Sequence, residues 1–243
     1  MRFHILFIEF NKEESMKTLV VIPAYNEALN IKGVISDLKK YVPEIDYMII
    51  NDGSKDNTLE VLEECQFNYI DGFENLGLFG AVQTGFQYAL NEGYDIAIQF
   101  DGDGQHSAES IPLLINAIEN GCDIAIGSRF ISEKKPFTAR MIGSRLISTA
   151  IKIVTGKTIK DPTSGLRAYN KNCIIDYATD MNNPPEPDTL VYMLKKNRKI
   201  KEVQVTMRER EFGESYLNLP NTIKYMSRMI ISIFLIQPFR KVR

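Results

Sequence analysis

Short apolar runs that stop abruptly at polar or glycine-rich residues recur through the first half of this chain. Thr18 to Ile22 runs into Pro23, and Tyr47 to Ile50 stops at Asn51-Asp52-Gly53-Ser54. Ile96 to Phe100 stops at Asp101-Gly102-Asp103, and Asp123 to Ile126 runs into Gly127-Ser128-Arg129. A further run covers Phe67 to Ile70. Between the runs, apolar residues repeat at helical spacing: Ile31, Val34, Ile35, Leu38 and Val42, then Ala81, Val82, Phe86 and Ala89, then Ile111, Leu114, Ile115 and Ile118. Another helix pattern starts near Asp56. Asn26 is expected to cap the first helix, with Glu27 in its first turn, and Ser107 to cap the one that carries Ile111. This alternation predicts an α/β fold: a mainly parallel sheet flanked by helices, both faces covered. Unbroken apolar strands are what burial on both faces requires. In open sheets of this kind the ligand crevice lies at the carboxyl ends of the strands, where the polar stops gather. After Arg129 the pattern loosens. It predicts a helix over about Thr138 to Val154, a loop at Asp161-Pro162-Thr163-Ser164-Gly165, a helix over Asp188 to Lys196 and a strand over Lys201 to Met207.

Charge narrows the partners. Lys and Arg number 29 against 31 Asp and Glu, a net charge of -2 over 243 residues, which argues against a general nucleic-acid binder. Cys65, Cys122 and Cys173 are few, odd in number and far apart; they lack metal-ligand spacing and point to a reducing compartment. Residues 1–17 read as a leader ahead of the first strand, with Met16 as an alternative start. At the other end, Met229 to Ile236 is almost wholly apolar, with Lys224 and Arg228 before it and Arg240, Lys241 and Arg243 after it. Eight helical residues span about 12 Å, against roughly 30 Å of bilayer hydrocarbon, so this run alone does not cross a membrane. Residues 217–243 are therefore expected to form an amphipathic helix. It either lies at a membrane surface, packs on the domain, or docks a membrane partner.

The chemistry concentrates at Asp101-Gly102-Asp103-Gly104-Gln105-His106. Two carboxylates two residues apart at a strand end can converge on one divalent cation, and oxygen ligands suit Mg²⁺ or Mn²⁺. A cation there would neutralise a diphosphate leaving group. His106 reads as a local hydrogen-bonding residue. Asp52 could accept hydrogen bonds from a base or ribose, or serve an Asx turn. Glu74 to Gly80 is a glycine-containing loop that opens a helix, without G-x-G-x-x-G or a Walker lysine, which argues against a nicotinamide enzyme and a P-loop NTPase. Arg129, Arg140, Arg145, Arg208 and Arg210 could hold phosphate oxygens.

In order along the chain, these motifs resemble the family 2 glycosyltransferases, and within them the polyprenol-phosphate group typified by dolichol-phosphate mannosyltransferase. The likeness covers residues 18–216. It rests on Val21 to Glu27, Asn51 to Asp56, Asn75-Leu76-Gly77, Asp101 to His106, Gly127 to Phe130, Asp161 to Arg167 and Arg210 to Ser215. Tyr216 stands where the group often carries a lysine. The resemblance implies a GT-A domain at 18–216 and inverting transfer from a nucleotide sugar. It implies that Pro23, Tyr25, Glu27, Asp52, Asp101, Gly102 and Asp103 bind the nucleotide sugar, and that Asp101, Asp103 and Gln105 hold the metal. Arg129, Arg140 and Ser144 would bind the acceptor phosphate, with Arg210 at a closing loop. It also implies polyprenyl phosphate as acceptor, and a small membrane protein as a partner for the C-terminal helix. The site would then lie on the inner, cytoplasmic face of the membrane.

Asp103, Arg210 and Asp188 are the residues expected to take part in the chemistry. A lipid phosphate is ionised at neutral pH and needs no strong base, whereas a hydroxyl acceptor does. Glu186 or Asp188 would supply that base if the acceptor were a glycan hydroxyl; acids at a helix start are the plainer account of both. The arginines favour the phosphate acceptor, with UDP-linked glucose or N-acetylglucosamine as donor. A nucleotidyltransferase and a non-catalytic scaffold are the other classes. The first lacks its glycine- and basic-rich N-terminal signature here, and the second would have no need of Asp101, Asp103 and Arg210.

Overall fold

In a computed structural model the described residues are 16–180, 185–209, 212 and 219–241. The leader and the Arg210 motif, apart from Phe212, lie outside them. Strand β1 (Thr18–Ala24) sits third from one edge of a seven-stranded sheet. It pairs in parallel with β2 (Asp46–Asn51) on one side and β4 (Ile96–Gln99) on the other. Outward from β2 lies β3 (Tyr69–Asp71). Beyond β4 come β6 (Arg167–Asn170), β5 (Ile124–Ser128) and β7 (Ile200–Gln204). Only β6 runs against its neighbours.

Every residue of β1 is buried, because helices cover both faces. Leu19 and Val21 point to one side and Val20 and Ile22 to the other, as the two-residue period of a strand requires. The second face packs against α1 (Ile31–Tyr41), α2 (Thr58–Glu64) and α4 (Ile111–Glu119). The first packs against α3 (Gly77–Asn91), α5 (Ala139–Thr155), α6 (Lys171–Thr179), α7 (Thr189–Lys195) and α8 (Leu219–Leu235).

The expected alternation is present, with three departures. Helix α1 begins at Ile31, later than an Asn26 cap would give. Asn26 takes a left-handed φ of 59° and accepts from the Lys55 N–H at 2.8 Å, so its side chain ties two loops together. Ser107 makes no side-chain cap; its Oγ lies 3.3 Å from Arg208 Nη2. Helix α6 was not expected, although Asn170 caps it, Oδ1 accepting from the Cys173 N–H at 3.0 Å. Helix α5 is held at both ends, by Thr138 Oγ1 at Met141 N–H and by left-handed Gly156.

Helix α8 packs on the domain, one of the three expectations for the C-terminal segment. Thr222, Met226, Met229 and Ile233 are buried, while Ile223, Ile231, Phe234 and Leu235 face outward. Gly143 of α5 permits the contact: a Cβ there would lie 2.8 Å from Met226 Cγ. Among the described residues no helix is long and apolar enough to cross a membrane.

Candidate active site

The carboxyl ends of β1, β2, β4 and β5 all open on one edge of the sheet. Because β6 is antiparallel, it is the amino end of that strand that reaches the same edge, with Arg167 opposite Gln99 and Ile126. The loop 161–165 is thereby delivered to the site.

Asp101 begins the turn after β4. Its backbone N–H donates to His106 Nδ1 at 3.0 Å, so the His106 proton sits on Nε2, 3.6 Å from Asp101 Oδ2. His106 is buried against Phe100, beside the carboxylate. From the other side, Gly165 packs on Asp101 so closely that a Cβ would lie 2.4 Å from Oδ2. Gly102 N–H reaches Pro23 O at 3.3 Å, joining this turn to the end of β1. Asp103 Oδ1 accepts from the Gln105 N–H at 3.0 Å, and the Gln105 carbonyl accepts from the Arg208 N–H at 2.8 Å. Arg208 in turn pairs with Asp37 at 2.9 Å. The chain leaving β7 is thus pinned beside the acidic turn just before Arg210, which itself lies outside the described residues.

Among the described residues no three acidic, histidine or cysteine side chains converge as a metal cage. Two carboxylates at a strand end still fit Mg²⁺ or Mn²⁺, which keep open positions for substrate phosphates. Asp101 and Asp103 would supply those carboxylates.

Asp52 lies beside β1, its N–H bonded to Ala24 O at 2.9 Å. Its Oδ1 accepts from the Leu76 N–H at 2.8 Å, which fixes the loop opening α3. Burial holds this carboxyl above the ordinary aspartate range, with the backbone donors pulling the other way. Gly53 has a φ of 64° and meets the Glu74 backbone at 2.8 Å from its would-be Cβ. Pro23 is buried in β1 and Tyr25 is exposed just past it. Glu27 Oε2 accepts from Asn30 Nδ2 at 2.6 Å, and its N–H donates to Thr58.

Two of the expected acceptor residues, Arg129 and Ser144, are linked through Asp161 and Thr163. Arg129 grips fully buried Asp161 with two bonds, at 2.7 and 2.9 Å. Ser144 is buried; its Oγ lies 3.1 Å from Thr163 Oγ1 and 2.9 Å from the Lys135 ammonium. Arg140 is the second residue of α5, and its side chain lies outside the described residues. The 161–165 loop joins the two groups, with Asp161 against Arg129, Thr163 against Ser144 and Gly165 against Asp101. Buried Arg167 braces the loop from beneath, donating to Ser164 O at 2.9 Å, to Pro162 O, and to Pro185 O at 3.3 Å.

Asp188 stands apart. Its Oδ2 accepts from Ser232 of α8 and from Gln237 at 2.9 Å, and Glu186 accepts from Arg228. Burial lifts the Glu186 carboxyl to about 7, with Arg228 opposing and Asp188 adding. The structure turns this acidic pair towards α8. Lys135 and the structural part of Asp161 escaped the sequence reading, because neither is within hydrogen-bonding sequence distance of its partner along the chain.

Comparison with known proteins matches this architecture. The chain matches Glycosyl transferase family 2 over residues 19–177. It is 29% identical over 229 residues to polyprenol monophosphomannose synthase of Mycolicibacterium smegmatis, covering 88% of this chain and 86% of that protein. Undecaprenyl-phosphate mannosyltransferase of Micrococcus luteus is 30% identical over 215 residues, covering 84% and 88%. In fold, the chain superposes on glucosyl-3-phosphoglycerate synthase from Mycobacterium tuberculosis in complex with uridine diphosphate, with a TM-score of 0.69 at 17% identity, covering 93% and 82%. The acidic strand end, the mainly parallel sheet and the family match agree: this chain belongs to glycosyl transferase family 2 and is a glycosyltransferase of GT-A fold.

Proposed function

We propose that this enzyme transfers a hexose from a nucleotide diphosphate-sugar to polyprenyl phosphate, with inversion, at the inner face of a membrane, as a step of cell-envelope glycan synthesis. The observation that carries the reading is the 161–165 loop, which couples the Asp101 turn to a cationic, hydroxyl-lined cluster at Arg129, Lys135 and Ser144. That cluster suits a phosphate acceptor. Two relatives named for lipid-phosphate mannose transfer support it. The acid pair that would serve a hydroxyl acceptor is instead engaged with α8.

In this reading Asp101 and Asp103, with Gln105 beside them, would hold Mg²⁺ or Mn²⁺ at the donor site. When bound, the cation withdraws charge from the departing nucleotide. Pro23, Tyr25, Glu27 and Asp52 line the nucleoside side, and Arg140 and Arg210 add phosphate contacts. An ionised phosphate oxygen attacks the anomeric carbon, so positioning and charge neutralisation carry the catalysis. The exposed apolar residues of α5 and α8, Ile142, Leu146, Ile153, Ile223, Ile231 and Leu235, give a surface for the bilayer or for a small membrane protein. All three cysteines are unpaired, in keeping with a cytoplasmic location.

The donor is a uridine diphosphate hexose, glucose or N-acetylglucosamine, tested against GDP-mannose. Purified enzyme with undecaprenyl phosphate, detergent and each labelled donor is expected to place label in the lipid fraction for one donor. The label should vanish with chelator and in Asp103→Ala. Label that persists in both would contradict the metal assignment.

A further inference from the structure

Arg167 opens β6 with 2% of its surface exposed, and its guanidinium spans two loops. Nε donates to Ser164 O at 2.9 Å and Nη2 to Pro162 O, both in the 161–165 loop. Nη1 donates to Pro185 O at 3.3 Å, in the turn that leads into α7. A planar fork sets the spacing of the carbonyls it reaches, which a flexible ammonium does not do. Its burial makes those bonds firm, because a donor left unmade there is costly.

Each loop has a far end. In 161–165, Gly165 packs against Asp101, a would-be Cβ lying 2.4 Å from Oδ2. The turn after Pro185 seats α8: Glu186 accepts from Arg228, and Asp188 accepts from Ser232 and from Gln237 at 2.9 Å. Burial lifts the hydroxyl of Tyr225, also on α8, above the ordinary tyrosine range, with Glu186 adding to the shift and Arg167 opposing it. Contacts therefore run from α8, through 185–188 and Arg167, to the loop against Asp101. The loop has other fastenings: Ser164 Oγ donates to Gly127 O at 2.6 Å, and Asp161 accepts from Arg129. Those tie it to the end of β5 and do not lead to α8.

We infer that Arg167 is a positioning residue for the transfer: it ties the 161–165 loop to the turn that seats α8, so the placing of Asp101 depends on how α8 is held. Contact at the exposed outer face of α8, at Ile223, Ile231 and Leu235, is then felt at the donor side of the site. The inference rests on Asp101 serving the donor, as proposed above, and on no particular acceptor.

Amide hydrogen exchange on the full chain, without ligand, reads the joint directly, and the kinetics of donor turnover read its consequence. Arg228→Gln is the remote variant, because its half-exposed side chain has no part in the site. It is expected to speed exchange in peptides covering 161–167 about tenfold, with β1 at the wild-type rate, as loss of a buried carboxylate's partner loosens what that carboxylate holds. Its kcat for donor turnover should fall about tenfold, the scale of a small misplacement at the site. Arg167→Lys, which keeps the charge without the fork, should produce both changes. Arg167→Lys combined with Arg228→Gln should go no further than the larger single variant, because both cut one chain of contacts. If Arg167→Lys does not fold, Ser232→Ala takes its place in the cycle. Unchanged exchange in 161–167 in Arg228→Gln overturns the inference, and so do effects that multiply in the double variant. Faster exchange with wild-type kcat, or faster exchange everywhere with β1 included, overturns it too, since either marks a merely structural role. Lipid labelling is a separate readout: its failure overturns the proposed acceptor, while exchange and donor turnover still decide the role of Arg167.

Discussion

Gly165 is not at a turn that needs positive φ; it is glycine because Asp101 occupies the space a side chain would take. The nearest atoms are the carboxylate oxygens, the far end of a side chain that can swing away. The fold therefore tolerates a methyl group there, and the acidic turn does not. Gly165→Ala is expected to change the melting temperature little and to lower kcat/KM by about 10- to 100-fold, the scale of a roughly 1 Å misplacement of a reacting group. Raising the Mn²⁺ concentration should recover part of the loss. A variant with wild-type kinetics would show that Asp101 need not sit where Gly165 holds it. His106 Nε2 lies 3.6 Å from the same carboxylate oxygen, with its tautomer set by the Asp101 N–H.

Among the elements, α3 packs against β1 at a glycine. A Cβ on Gly85 would lie 2.1 Å from Val21 Cγ1, in the middle of that strand. Valine is stiff at χ1 and is packed on all sides, so neither partner yields cheaply. Gly85→Ala is expected to cost about 1–3 kcal/mol in a denaturant melt, and Val21→Ala in the same chain to return part of it. The parallel strands were legible in the sequence because burial on both faces turns each into an unbroken apolar run that ends at its functional residues. Strand β6 was not, because Arg167 and Asn170 at its ends are polar for different reasons. Arg167 braces two loops, and Asn170 caps α6 and bonds to Asp123. Likewise the acidic turn is one contiguous stretch and could be read directly. The Arg129–Asp161 pair spans 32 residues, and the Gly165 contact exists only because β6 runs backwards.

At the scale of the whole molecule, α8 is bound to the domain by an acidic pair as well as by apolar packing. Glu186 stays protonated in the folded chain up to about 7, whereas its ordinary value is 4.5. Between those values the folded state binds more protons than the unfolded one. Stability therefore falls as pH rises through that window and levels above it. Glu186→Gln removes this loss, so the variant should be more stable than the wild type at pH 8, by an amount on the order of 3 kcal/mol. The two should converge near pH 4.5. Parallel pH profiles in thermal melts would mean that Glu186 is ionised throughout. The same packing leaves Ile142, Leu146 and Ile153 of α5 and Ile223, Ile231 and Leu235 of α8 exposed.

The central claim is that the sugar goes to a phosphate oxygen at the cluster of Arg129, Lys135 and Ser144. The most direct measurement offers the enzyme undecaprenyl phosphate and undecaprenol side by side, with its labelled donor and Mn²⁺, and identifies the labelled lipid by mass. The account predicts label on undecaprenyl phosphate alone, as a glycosyl phosphodiester formed with release of the nucleoside diphosphate. Label on undecaprenol, or donor consumed with label on neither lipid, would contradict it.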